Sequence, residues 1–228
     1  MTMFLNIHFL DSRTLGNPGS LERILLFFEE TGFIIKKFKI KKETIPWEGG
    51  LEKNQEKLQL AYEHKGCWFS AFNHIWRFEI YQDIFWDVPE LGGKGRCYVC
   101  TSNNNEPYFW DPDRDPERYA RFYLDIGKGL YTILQPTFGW IEWDLEWLPT
   151  KHEDIENLRL PALYWANFFG PPYVRKLGRD KILKAPAWRI EELPDGGLLY
   201  ILASSPGWCK EHVSLEEVRA YFGVERVR

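Results

Sequence analysis

The sequence predicts an α+β fold, in which a mainly antiparallel, aromatic-rich sheet carries packed helices within a single domain, residues 1–228. Three observations lead to this expectation. The 228 residues contain no Gly/Ser linker, repeat or charge block, and a chain of this length suits one large domain. Aromatic residues make up 17% of the chain and favour half-buried sheet surfaces. Short strand-like runs separated by turns also alternate with amphipathic segments.

The first hundred residues predict strands interrupted by two helices. Residues 3–10 have the length and composition of a strand, and residues 21–31 have the periodicity of an amphipathic helix. Residues 33–42 alternate as a strand whose lysines would protect a sheet edge against unwanted pairing. A polar helix is expected over residues 51–64. The aromatic stretch 67–101 then predicts three strands of an antiparallel meander.

A long helix is predicted to begin at residue 116. Asp115 is suited to cap it and Pro116 to occupy its first position. A calcium loop over residues 111–122 is disfavoured, because Pro116 stands where such a loop needs glycine. Gly127 and Gly129 would cost about 1 kcal/mol each inside a helix. They therefore predict close packing of this helix against the sheet.

Strict alternation over residues 139–148 separates an apolar face from an acidic one. The acidic face carries Trp140, Glu142, Asp144 and Glu146. Three carboxylates along one face repel one another unless solvent or cations compensate them. The face therefore predicts either a binding surface for a basic partner or a plain solvated strand. A glycosidase-like pair of carboxylates is disfavoured, because adjacent carboxylates of one strand do not usually flank one bond.

Charge and hydropathy restrict the classes of function. The 29 basic and 33 acidic residues give a net charge of −4, which disfavours a nucleic-acid partner. No run approaches the roughly 18 apolar residues of a membrane span, and the first residues lack the basic segment of a signal peptide. A cytoplasmic protein that uses neither membrane nor cofactor is expected.

Three cysteines and one histidine have the spacing of a structural zinc site. They are Cys97, Cys100, Cys209 and His212. The residues between the first two cysteines are strand formers, and residues three apart in a strand point to opposite faces. We therefore expect free thiols and no metal site. A nucleophilic pair of Cys209 and His212 lacks a third, orienting group, so no catalytic residue is predicted.

The most strongly specified stretch covers residues 161–204. An aromatic strand ends at Gly170, and the following Pro-Pro pair begins a short helix. A hairpin then turns at Pro194-Asp-Gly-Gly197, and the apolar run after it is typical of a strand covered on both faces. Ser214 and Glu217 have the spacing of a capping box for a final helix.

This stretch also resembles a known family. The matching runs are Leu163-Tyr-Trp-Ala-Asn-Phe-Phe-Gly-Pro-Pro-Tyr-Val-Arg-Lys-Leu-Gly178 and Leu193-Pro-Asp-Gly-Gly-Leu-Leu199, with Leu183 and Pro186 between them. They look like immunity proteins of polymorphic toxin systems, particularly the immunity protein 52 type and the related type VI immunity family. The resemblance covers the C-terminal half and implies a non-enzymatic protein that neutralises a cognate toxin by tight binding. The alternative is an enzyme or carbohydrate-binding domain that uses exposed tryptophans beside Glu142 and Asp144.

Overall fold

The computed structural model describes residues 5–12, 14, 19–41, 43–64, 66–73, 77–83, 96–101, 115–143, 152–160, 162–208 and 214–224. These residues form a ten-stranded antiparallel sheet with helices packed on both faces. The predicted α+β fold class is confirmed. No helix within the described ranges is long and apolar enough to cross a membrane.

The strands are β1 (Leu5–Ser12), β2 (Ile34–Ile40), β3 (Glu43–Pro46), β4 (Gly66–Phe72), β5 (Arg77–Asp83), β6 (Arg96–Thr101), β7 (Pro136–Trp143), β8 (Ala166–Phe169), β9 (Arg189–Glu192) and β10 (Leu198–Ile201). The helices are α1 (Ser20–Glu30), α2 (Gln55–Glu63), α3 (Pro116–Leu134), α4 (His152–Glu156), α5 (Pro171–Leu177), α6 (Arg179–Leu183) and α7 (Leu215–Phe222). The strand order is β3-β2-β4-β5-β6-β1-β7-β8-β10-β9. The first strand along the chain therefore lies inside the sheet, between β6 and β7.

The sheet separates two hydrophobic cores. On what we call the first face, α1 and α3 cover the sheet, and the rings of Phe28 and Tyr123 both pack against Phe78. On the opposite, second face, α5, α6 and α7 cover β7, β8 and β10. There the ring of Phe222 packs against Phe169 and Tyr200.

Helix α3 begins as the sequence predicts. The Asp115 carboxylate accepts a hydrogen bond of 3.1 Å from the backbone N–H of Arg118. A Cβ added to Gly127 would lie 2.8 Å from the Phe168 ring, so the helix does pack closely on the sheet here. Gly129 differs from the prediction, because its close neighbour is the Phe27 ring of α1. This glycine therefore permits close contact between two helices of the same layer.

The lysine-rich strand β2 is not a sheet edge, contrary to the prediction. It pairs with β3 on one side and with β4 on the other, so β3 and β9 are the outermost strands. Pairing with β3 covers the backbone of β2 from Lys37 to Ile40. Edge protection therefore does not account for the lysines of β2.

Residues 162–204 fold as predicted into a strand, a short helix and a hairpin, which are β8, α5 and the β9–β10 pair. Every residue of β8 and β10 is buried. In the hairpin turn, Gly196 has a φ of 85°, which an L-amino acid with a side chain adopts only at a cost. A Cβ on Gly197 would overlap the Tyr131 hydroxyl and lie 2.8 Å from the Phe169 carbonyl oxygen. The backbone conformation therefore favours glycine at position 196, and the close packing requires it at position 197.

Candidate functional site

The strand that was predicted to carry a binding face, β7, lies beside β1 inside the sheet. The register places Asn6 opposite Glu142 and His8 opposite Trp140. The predicted alternation holds within β7, because Ile141 belongs to the first-face core and Trp140 to the second-face core.

The expectation that this acidic face is exposed is wrong for the two described members. Trp140 and Glu142 have only 4% and 3% of their surface exposed. The reason is topological, because β7 pairs with β1 and β8 on its two sides and forms part of a covered half of the sheet. Asp144 and Glu146 lie outside the described residues. Partner binding by Trp140, Glu142, Asp144 and Glu146 stays a prediction.

The buried carboxylate of Glu142 is matched by a histidine on the neighbouring strand. His8 Nε2 lies 3.0 Å from a carboxylate oxygen of Glu142, and the two side chains are 1% and 3% exposed. A carboxylate that leaves water loses several kcal/mol of hydration, and His8 is a polar side chain that the structure places directly beside it. Removal of either group would leave the other buried without its counterpart.

Trp140 is the middle ring of a three-ring stack. Its ring centroid lies 4.6 Å from that of His8 at an interplanar angle of 10°. On the other side the Tyr164 ring lies 5.0 Å away at 16°. Both faces of the indole are therefore occupied by protein, so neither is open to stack on a sugar ring.

Asn167 holds the end of this stack in place. It lies opposite Trp140 in the sheet and is fully buried. Its side-chain oxygen accepts a hydrogen bond of 3.0 Å from the Tyr164 N–H, and its side-chain nitrogen donates one of 2.8 Å to the Tyr164 carbonyl. This closes a turn ahead of β8. Within the run that resembles immunity proteins, Asn167 therefore has a structural role.

Trp165, in the same run, is also structural. Its indole N–H donates a hydrogen bond of 2.9 Å to the carbonyl oxygen of Ala203, just after β10. The backbone of Trp165 accepts a further hydrogen bond from the Leu202 N–H. This tryptophan therefore joins the chain just before β8 to the chain just after β10, and Trp165 and Asn167 both have structural roles.

The expectation that Cys97, Cys100, Cys209 and His212 form no zinc site stays a prediction. Cys97 and Cys100 lie in β6, opposite Phe9 and Asn6 of β1 respectively. Cys209 and His212 lie outside the described residues. Within the described ranges there is no group of three or more histidine, cysteine, aspartate or glutamate side chains that could hold a metal ion.

The sequence does not reveal His8 as a member of this site. Nothing in its neighbourhood distinguishes it from other strand residues, because its partner belongs to a strand far away in the chain. Only the β1–β7 register, which sets His8 diagonally across from Glu142, reveals the pair. The burial of Glu142 was missed for the same reason.

Comparison with known proteins identifies a likeness of fold. No protein-family model and no curated protein sequence matches the chain. Among solved structures, the chain is similar to the Pseudomonas aeruginosa T6SS protein PA0821, with a TM-score of 0.50 and 11% sequence identity. The alignment covers 98% of this chain and 72% of that one. At this level of identity the similarity concerns the fold.

Proposed function

We propose that this chain is a non-enzymatic, immunity-type protein that neutralises a cognate toxin by binding it and occluding its active surface. The observation that carries the proposal is the likeness of fold to a Pseudomonas aeruginosa T6SS protein over 98% of the chain. The resemblance of residues 163–199 to immunity proteins, including the type VI immunity family, points in the same direction.

The geometry of the buried site favours binding over the alternative function. A carbohydrate-binding or enzymatic role would need Trp140 and Glu142 to be accessible to a ligand. Instead, Trp140 is stacked between two rings, and Glu142 is paired with His8 under a covered part of the sheet. These residues stabilise the join between β1 and β7.

A rigid sheet suits neutralisation by occlusion. Stable protein complexes bury about 1,600 Å² in total, and a surface that needs no ordering loses less free energy on binding. Here the sheet packs against a core on each face, which fixes its strands, so the residues at their uncovered positions keep fixed spacings. Such a surface needs no catalytic group of its own, because it neutralises an enzyme by covering that enzyme's catalytic group.

Co-expression with the product of the neighbouring gene tests the proposal, which predicts that this product is a toxin. The toxin domain alone should stop the growth of a bacterial host, and co-expression of this chain should restore it. The purified chain should also form a stoichiometric complex with a catalytically inactive form of that toxin on size-exclusion chromatography. Neither rescue nor a complex, with the chain folded as judged by circular dichroism, would refute the proposal.

A further inference from the structure

The lysines of β2 share one surface with aromatic side chains of β4. The register places Lys39 opposite Trp68, and the Lys39 ammonium lies 4.8 Å from the centroid of that ring. The register shifts between Ile35 and Lys37. At this irregularity the Lys36 ammonium lies 5.2 Å from the centroid of the Phe72 ring.

The β2 side of this surface is open to solvent and includes an apolar side chain, whereas Trp68 and Phe72 of β4 are half-buried. Lys36, Lys37 and Lys41 are exposed, and Lys39 is half-buried. Ile34 is 62% exposed, more than any other large hydrophobic side chain in the described ranges. We use the name lysine face for Ile34, Lys36, Lys37, Lys39, Lys41, Trp68 and Phe72.

The positive charge of the lysine face is not compensated from within the described part of the chain. No salt bridge there joins any of the four lysines to a carboxylate. By contrast, Lys128 on α3 has carboxylate oxygens of Asp125 and Glu191 at 2.8 and 3.3 Å. Four like charges along one strand and its following turn repel one another. The arrangement therefore favours a carboxylate-bearing partner.

We propose that the lysine face is the surface with which this chain binds its toxin, and that the toxin contributes an acidic surface with an apolar contact for Ile34. This inference rests on the proposed function and names the chemistry of its partner. Carboxylates would compensate the lysines, while the rings of Trp68 and Phe72 hold two ammonium groups in place before the encounter.

A protein partner fits this surface better than a nucleic acid. The whole chain has a net charge of −4, which opposes association with a polyanion. The exposed Ile34 side chain gains free energy only where it meets another apolar surface, and a phosphate backbone offers none.

Charge reversal tests the assignment. Lys36→Glu with Lys37→Glu should slow association with the inactive toxin of the neighbouring gene about tenfold at low salt, because steering charges act on the encounter rate. The difference should shrink at higher salt as the charges are screened. Lys176→Glu with Lys184→Glu is the matched control, since both lysines are exposed and the net charge changes equally. We expect that variant to associate within about twofold of the unmodified rate, as should Lys36→Arg with Lys37→Arg.

The outcomes separate this inference from the function on which it rests. Unchanged association of a folded Lys36→Glu/Lys37→Glu chain would overturn the lysine face and leave toxin binding intact. The lysine face would also be overturned if association slowed only in the variant Asp144→Lys with Glu146→Lys. The toxin would then contact the predicted acidic strand. Failure of the unmodified chain to bind the toxin would overturn both. If the chain bound a short DNA duplex through these lysines and did not bind the toxin, the proposed protein partner would be wrong and the partner would be a nucleic acid.

Discussion

The two halves of the sheet differ in how their second face is covered. In the C-terminal half, formed by β7 to β10, the second face lies under α5, α6 and α7, and every residue of β8 and β10 is buried. In the N-terminal half, formed by β2 to β6, strand β2 buries alternate residues on the first face and turns lysines to solvent.

This difference indicates that the C-terminal half stabilises the fold and that the N-terminal half offers a surface for binding. In the C-terminal half, residues of the run that resembles immunity proteins make internal hydrogen bonds, Asn167 to Tyr164 and Trp165 to Ala203 after β10. In contrast, the lysines of the lysine face form no salt bridge with a carboxylate within the described ranges. A substitution in the covered half should therefore reduce stability, and one on the lysine face should change binding.

The largest loss of stability is expected where β1 joins the covered half. Glu142→Ala should lower the free energy of unfolding by about 3–5 kcal/mol, because it breaks the buried pair with His8. Glu153→Ala is the control, since Glu153 is 70% exposed and its ion pair with Arg159 lies at the surface; it should cost at most about 1 kcal/mol. Urea denaturation measures both. Equal losses would mean that the buried pair contributes no more than a surface one.

The second-largest loss of stability is expected in the β9–β10 hairpin of the covered half. Gly197→Ala should cost about 1–3 kcal/mol, because the new Cβ overlaps Tyr131 and approaches the Phe169 carbonyl. Gly50→Ala, between β3 and α2, is its counterpart in the N-terminal half, where a Cβ meets nothing within 4 Å. That change should stay within about 0.5 kcal/mol. If thermal melts rank the two variants in the opposite order, the described packing around the hairpin is incorrect.

A smaller effect is expected at the start of α3, which covers the first face of both halves. Asp115→Ala removes the carboxylate that accepts from the Arg118 N–H and should cost about 1 kcal/mol. Asp115→Asn keeps an acceptor and tolerates the positive φ of 51°, so it should lose much less. Guanidinium denaturation of the two variants distinguishes them. The capping role is refuted if alanine is as stable as asparagine.

The smallest change in stability is expected on the lysine face. Lys36→Glu with Lys37→Glu should alter the free energy of unfolding by no more than about 0.5 kcal/mol. A slight gain is the favoured direction, because the change relieves repulsion between like charges. A loss above about 1 kcal/mol in urea denaturation would show that these lysines stabilise the fold and are not kept for a partner.

Sequence reasoning succeeded where the determining contacts are local. The Asp115 cap and the Gly196 turn depend on residues within a few positions, and the predicted helices and strands follow from local periodicity. It failed where long-range pairing decides. β2 becomes an internal strand only because the short strand β3 pairs with it. Glu142 is buried beside His8 only because β1 inserts between β6 and β7. Neither pairing leaves a trace in the local pattern.

Lysine footprinting of the toxin complex shows which lysines the toxin covers. The free chain and its complex with the inactive toxin would be acylated briefly, and the modified lysines quantified by mass spectrometry. We predict that the reactivity of Lys36, Lys37 and Lys41 falls in the complex. Lys176 within α5 and Lys184 directly after α6, both exposed, should react as in the free chain. Protection of those two C-terminal lysines, with the lysine face as reactive as before, would contradict the account.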